Sequence, residues 1–237
     1  MTIQLVVNEI FGPTMQGEGK NLGMPCFFLR LGGCNQHCIW CDTPYTWDWT
    51  GRNGTKYDPK LELHPMEPEA VLAHLIERGD ATGIHNLVVS GGEPMLQWHA
   101  LKLVTTALRA SGWYVEMETA GSIEPPTAEL VDQFTVSVKL SNSGNSAKVR
   151  INPEAIRFFA KSGRSVFKFV VTAPEDFEEI DALVKEYGLR PVYIMPEGIT
   201  AENVQAHARS VTAAALERGY HLTTRLQILT YGNQRGT

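Results

Sequence analysis

Apolar positions along the chain fall into two alternating rhythms. Short, nearly continuous runs read as buried strands: "CFFLRL" (26–31), "HNLVVS" (85–90), "WYVEMET" (113–119), "FTVSV" (134–138), "SVFKFVV" (165–171), "PVYIM" (191–195) and "HLTTRLQIL" (221–229). Between them lie stretches with apolar residues three and four apart. Within 172–188, Phe177, Ile180, Val184 and Tyr187 share one helical face, behind a capping box formed by Thr172 and Glu175. Within 200–219, Val204, Ala208, Val211 and Ala215 repeat the plan. Helices are expected to stop at Gly79, Gly112, Gly163, Gly188 and Gly219, because glycine accepts the left-handed conformation just past a helix end. Strands alternating with helices predict βα units around a mostly parallel sheet. About six such units are too few to close an eight-unit barrel. The expected fold is therefore α/β, an open partial βα barrel, in one domain over 1–237. The segment 50–67, with two glycines and two prolines, is expected to be a loop.

In such folds chemistry gathers in the loops beyond the carboxyl ends of the strands. The distinctive motifs all sit there: the cysteine segment 31–47, "SGGEP" (90–94), "ETAG" (118–121), "SVKLSNSG" (137–144) and "MPEG" (195–198). They are expected to face one cavity. Charge narrows what that cavity serves. With 21 Lys and Arg against 26 Asp and Glu, the net charge of −5 offers no basic face for nucleic acid. No apolar run approaches the roughly 18 residues of a membrane span, and the first residues lack a secretion-signal pattern. A cytoplasmic location is expected, with neither nucleic acid nor membrane as partner.

Three of the four cysteines are crowded as Cys34-x3-Cys38-x2-Cys41, a poor disulfide framework that fits a reducing compartment and a bound metal. Two metal readings are open. A structural zinc ion wants four ligands, and the fourth would be His37, Asp42 or Cys26, none at a familiar spacing. A four-iron four-sulfur cluster usually takes four thiolates. Three leave one iron free for an exogenous ligand, and S-adenosylmethionine (SAM) can fill that corner with its amino and carboxylate groups. Cys26 is then most simply a small core residue.

The cysteine spacing, with Trp40 before the last thiol, resembles the signature of the radical SAM superfamily. "SGGEP" strengthens the likeness, because paired glycines let backbone approach a ligand closely. Together "EIFGPTMQGEG" (9–19), "FLRLGGCN" (28–35), "CDT" (41–43), "ETAG" and "YGNQRG" (231–236) resemble the 7-carboxy-7-deazaguanine synthases, over nearly the whole chain. That resemblance implies conversion of 6-carboxy-5,6,7,8-tetrahydropterin into 7-carboxy-7-deazaguanine with loss of ammonia, on the way to queuosine-type deazapurines. It implies a homodimer using SAM, a 4Fe-4S cluster, Mg2+ and an external electron donor of the flavodoxin or ferredoxin type.

Residue by residue, it implies that Cys34, Cys38 and Cys41 hold the cluster and Thr43 the Mg2+. Gly92, Ser137, Val138, Lys139 and Ile194, Met195, Pro196 and Glu197 match SAM-binding segments, although Val138 stands where the family usually has proline. Met15, Gln16, Gly17, Arg30, Ser90 and the carboxylate of Thr237 match substrate contacts. No catalytic side chain is implied, since the radical comes from SAM. Arg30 ends an apolar strand, where a lone guanidinium needs a partner. It grips a substrate carboxylate or pairs with Glu18 or Asp42. Lys168 would point into the barrel, toward a cofactor or into a buried ion pair. Gln227 replaces a histidine common in near relatives, which puts any proton-relay role there in doubt. The alternative enzyme is a radical SAM activase, which installs a glycyl radical on a partner protein; activases usually carry "CHN"-like residues in place of "CDT" and lack "QGEG". A non-catalytic zinc module is the alternative from another class.

Overall fold

The computed structural model describes residues 3–237. Its framework is a nine-stranded sheet, ordered β3-β1-β2-β4-β5-β6-β7-β8-β9. The strands are β1 (Leu5–Met15), β2 (Pro25–Leu31), β3 (His64–Met66), β4 (Asn86–Gly91), β5 (Tyr114–Thr119), β6 (Gln133–Val136), β7 (Ser165–Val171), β8 (Val192–Pro196) and β9 (His221–Leu222). β1 runs antiparallel to both β2 and β3, while every pairing from β2 to β9 is parallel. The open, mostly parallel sheet bears out the expected fold class. The helices are α1 (Pro59–Glu62), α2 (Pro68–Thr82), α3 (Trp98–Ala110), α4 (Ala147–Arg150), α5 (Pro153–Lys161), α6 (Asp176–Tyr187), α7 (Ala201–Glu217) and α8 (Leu226–Tyr231). Among the described residues, no helix is long and apolar enough to cross a membrane.

Strand periodicity sorts the side chains into two layers. Leu87, Val89, Val115, Met117, Phe134, Val136, Phe167, Phe169 and Val171 join the apolar core beneath the helices. Their neighbours Ser90, Glu116, Glu118, Thr135 and Lys168 turn to the other face, where they are buried or nearly so and bond to one another. Lys168 therefore does point into the barrel, because Phe167 and Phe169 on either side point out.

Four sequence expectations need correction. Gly79 lies inside α2, and the left-handed stop is Gly83, four residues on. Gly79 serves packing instead, since a Cβ there would overlap the ring of Trp113. Thr172 and Glu175 form no capping box. The Asp176 carboxylate collects the Thr172 N–H (2.7 Å), the Thr172 hydroxyl (3.0 Å) and the Ala173 N–H (3.2 Å). The strand expected over 221–229 ends at Leu222, after pairing with Tyr193 and Ile194, and the chain turns into α8, where Ile228 is buried. The segment 50–67 is not loop throughout. Asp58 caps α1 by accepting the Lys60 N–H at 2.9 Å, and β3 pairs along the start of β1.

Candidate active site

One cavity of about 460 Å³ opens at the carboxyl ends of the parallel strands, and the sulfur-bearing loop, the glycine pair and the last residues, 232–237, border it. Cys34, Cys38 and Cys41 all line it. Each sulfur accepts one N–H hydrogen bond: from the Gln36 backbone to Cys34 (3.4 Å), from Asn145 Nδ2 to Cys38 (3.3 Å) and from Trp47 Nε1 to Cys41 (3.3 Å). Such donors stabilise thiolate and tune a bound iron–sulfur group. Burial pushes the Cys34 thiol up to about 12 and raises Cys38 and Cys41 as well, so loading a metal on these thiols would displace protons.

The two polar candidates for a fourth zinc ligand are engaged elsewhere, and the third is buried in the sheet. His37 stacks on Trp47 at 4.6 Å and meets Arg52 at 2.7 Å. Asp42 is paired with Arg225. Cys26 is fully buried in β2 and lies away from the cavity lining. Three sulfurs lining one cavity, with the other ligand candidates engaged elsewhere, fit a cluster that leaves one iron for SAM better than they fit tetrahedral zinc.

The glycine pair sits against this loop. The Gly92 N–H donates to the Leu31 carbonyl at 3.0 Å and the Glu93 N–H to the Gly33 carbonyl at 2.8 Å. A Cβ at Gly92 would overlap the Gly33 carbonyl. Glu93, fully buried, then spans to the next strand end. Its carboxylate accepts the Met95 N–H (3.0 Å), the Thr119 hydroxyl (2.8 Å) and the Ala120 N–H (2.7 Å). Burial raises its pKa against these bonds. "SGGEP" and "ETAG" are thus one clasp, although spacing alone did not reveal it.

The floor of the cavity is ionic. Lys168 Nζ contacts Glu18 at 2.5 Å and Glu118 at 3.6 Å. Arg225 ties three loops together: Nε to Glu18 (3.1 Å), Nη1 to the Gly198 carbonyl (2.5 Å) and Nη2 to Asp42. Gln227 Nε2 donates to Glu18 at 2.8 Å, so this position holds a carboxylate in place. Burial works against the Glu18 charge, yet Lys168 and Arg225 hold its carboxyl far below the usual range. Burial likewise opposes the Lys168 ammonium, and Glu118 and Glu18 overcome it, raising its pKa. Gln16 Nε2 reaches Glu116 and Glu118, both at 3.3 Å, and Ser90 Oγ donates to Glu118 at 2.8 Å.

The mouth carries a second ionic set. Arg30 pairs with Glu9 (Nε to Oε1, 2.7 Å), which corrects the expectation of Glu18 or Asp42 as its partner. Those two carboxylates are taken by Lys168 and Arg225, and β1, beside β2, brings Glu9 opposite Arg30 in register. From the carboxyl-terminal tail, Arg235 reaches Glu9 (3.3 Å), Glu62 (2.8 Å) and Asn8 (3.1 Å) and covers the Tyr45 ring at 4.1 Å.

Of the residues singled out in the sequence, Met15, Gln16, Gly17, Arg30, Cys34, Cys38, Cys41, Thr43, Ser90, Gly92, Ser137, Lys139, Met195, Glu197 and Thr237 line this cavity. Val138 and Ile194 turn their side chains into the core, and Pro196 is not part of the lining. Any contact from those three is through backbone. Thr43 Oγ1 lies 3.7 Å from Cys41 Sγ. Sequence reasoning missed Glu9, Glu93, Arg225, Arg235, Trp47 and Asn145. Glu9, Trp47, Glu93 and Arg235 stood inside quoted motifs, whereas nothing in the spacing marks Asn145 or Arg225.

Comparison with known proteins agrees with this geometry. Residues 29–236 match the Radical SAM superfamily. A 7-carboxy-7-deazaguanine synthase from Pyrobaculum aerophilum is 39% identical over 99% of this chain and 98% of its own length. One from Rhodopirellula baltica is 32% identical over 98% of this chain and 89% of its own. The crystal structure of QueE from Escherichia coli superposes with a TM-score of 0.73 at 26% identity, covering 94% of both chains. These relatives do not favour the activase or zinc-module alternatives. The chain belongs to the radical SAM superfamily and, within it, to the 7-carboxy-7-deazaguanine synthases.

Proposed function

We propose that this cavity binds 6-carboxy-5,6,7,8-tetrahydropterin and contracts its ring to 7-carboxy-7-deazaguanine, with loss of ammonia. The observation that carries the reading is the meeting, in one cavity, of three hydrogen-bonded sulfurs with a fork-shaped cation and a polar floor. Cys34, Cys38 and Cys41 would hold a 4Fe-4S cluster with one iron left for SAM, and that pair would supply the radical chemistry needed to activate the pterin at C-6.

The protein's own side chains bind and orient. Arg30 offers its Nη fork to the substrate carboxylate, because Glu9 occupies only Nε. Gln16, Met15 and Gly17 border the pterin edge, with Ser90 and the Thr237 carboxylate as further contacts. Gly92, Ser137, Lys139, Met195 and Glu197 border the same cavity and would contact SAM. Lys139 Nζ donates to Ser137 Oγ at 2.9 Å and stands 6.0 Å from the Trp40 ring, which supports a fixed SAM-side turn despite Val138 in place of proline. Thr43 is a Mg2+ ligand candidate. A neutral hydroxyl is a weak anchor for a hard cation, so substrate oxygens would complete the shell and metal and substrate would bind together. A homodimer, an external flavodoxin- or ferredoxin-type reductant and a cytoplasmic setting complete the proposal.

Anaerobic incubation of the holoenzyme with carboxytetrahydropterin, SAM and reductant tests it. Release of a deazapurine and ammonia is expected. Absence of both, with SAM cleaved only when a protein substrate is added, would return the reading to an activase.

A further inference from the structure

The carboxylate of Glu9 faces two arginines that nothing in the chain's spacing connects. Oε1 accepts from Arg30 Nε at 2.7 Å and Oε2 from Arg235 Nε at 3.3 Å. Arg30 is mostly buried at the end of β2, with a side-chain exposure of 14%. Its Nη groups carry no hydrogen bond among the described residues, and the residue lines the cavity. Arg235 belongs to the tail that follows α8, and residues 232–237 of that tail form one wall of the same cavity. Both guanidinium groups meet the Tyr45 ring, Arg30 at 6.0 Å and Arg235 at 4.1 Å from its centroid. The tail thus docks through Arg235, whose partners are Glu9, Glu62 (2.8 Å) and Asn8 (3.1 Å), and of these Glu9 alone also bonds Arg30.

We propose that Glu9 is a positioning residue that couples the two: it aims Arg30 with one oxygen and fastens the carboxyl-terminal tail, through Arg235, with the other. The inference rests on the reading of Arg30 and Thr237 as substrate contacts. Its physical content is that one carboxylate fixes two groups that converge on one anionic ligand, so loosening either end disorders both. A rival explanation needs no coupling. Glu9 and Arg235 would act only through their charges, Glu9 repelling an anionic substrate and Arg235 attracting it.

The two accounts predict opposite signs for one variant. Under coupling, Glu9→Gln raises the KM for carboxytetrahydropterin roughly tenfold, the size of one charged hydrogen bond, and Arg235→Ala does the same. The double variant is then no worse than about either single one, since both cut the same link. Under the field account, Glu9→Gln lowers KM while Arg235→Ala raises it. That pattern, or effects that simply multiply in the double variant, overturns the proposal.

A second measurement does not depend on turnover. Carboxypeptidase treatment of the anaerobic holoenzyme, followed by mass spectrometry, reads how firmly the tail is docked. Release of Thr237 should quicken several-fold in Arg235→Ala and by a smaller factor in Glu9→Gln, where Glu62, Asn8 and Tyr45 still hold Arg235, and Arg235→Lys should restore part of the protection. Equal digestion rates in wild type and both variants overturn the latch. A wild type that shows the latch but no turnover with the pterin would instead fault the substrate assignment.

Discussion

Two ionic sets border one cavity, and water treats them differently. On the floor, Lys168 and Arg225 keep only 5% and 6% of their side-chain surface and share Glu18, itself 12% exposed. At the mouth, Arg235 keeps 41% of its surface while engaging Glu9 and Glu62. The same residue types therefore do different jobs. Removing one partner of a buried pair strands the other charge without solvent, whereas an exposed pair loses little when broken because water replaces it. The floor can hold the three loops that Arg225 joins in a fixed arrangement; the mouth can let go.

The sharpest break of that contrast is Lys168→Met. It should lower stability at pH 7 by about 3–5 kcal/mol, read by anaerobic urea unfolding. The pH dependence follows from the signs. The folded-state pKa of Glu18 is depressed, so its contribution is present above the unfolded carboxylate value of about 4.3 and lost as pH falls. The pKa of Lys168 is raised, so its contribution is full below about 10.4 and lost as pH climbs beyond. Without Lys168 the acid limb of the stability curve should flatten. An unchanged limb would mean that Arg225 alone keeps Glu18 ionised.

Arg225→Lys preserves the charge and removes the fork. One ammonium cannot serve Glu18, Asp42 and the Gly198 carbonyl at once. Each abandoned charged hydrogen bond costs about 1.5–3 kcal/mol. A fall in kcat/KM of roughly ten- to a hundredfold is expected, with a smaller loss of stability than for Lys168→Met. The activity loss arises because Asp42 adjoins both Cys41 and Thr43. If kcat/KM is unaffected, the cysteine loop does not depend on the floor for its position.

The same contrast explains what could be read from the sequence. The middle of the chain was legible: the runs that became β4, β5, β7 and β8 are periodic because one face meets helices and the other the barrel interior. Lys168 was placed correctly by that alternation alone. The cysteine loop was legible for another reason, since the ligand dictates its spacing. The two ends were not. β1 carries irregularities between Val7 and Glu9 and between Phe11 and Thr14, which break the simple period of two. The stretch after Leu222 alternates like a strand, yet Arg225 is drawn inward by Asp42 and Glu18, and α8 follows. Ion pairs such as Arg30–Glu9 or Arg225–Asp42 join residues 21 and 183 apart, respectively, and no local pattern encodes them. Only the sheet order, with β1 placed beside β2, determines that Glu9 meets Arg30.

Glu62→Gln probes the weakest point of the comparison. Arg235 Nη1 holds Glu62 at 2.8 Å, but Arg235 also has Glu9, Asn8 and the Tyr45 ring, so the loss should be only about 0.2–1 kcal/mol. Salt should act on the same contact. The Debye length shrinks from about 10 Å at 0.1 M to about 3 Å at 1 M, which screens the mouth and scarcely reaches the floor. Rising salt should therefore speed carboxypeptidase release of Thr237 while leaving urea stability nearly constant, and Glu62→Gln should make that release less salt-dependent. If stability falls with salt as steeply as tail protection does, the floor is wetter than its burial implies, and the two sets differ in position rather than in kind.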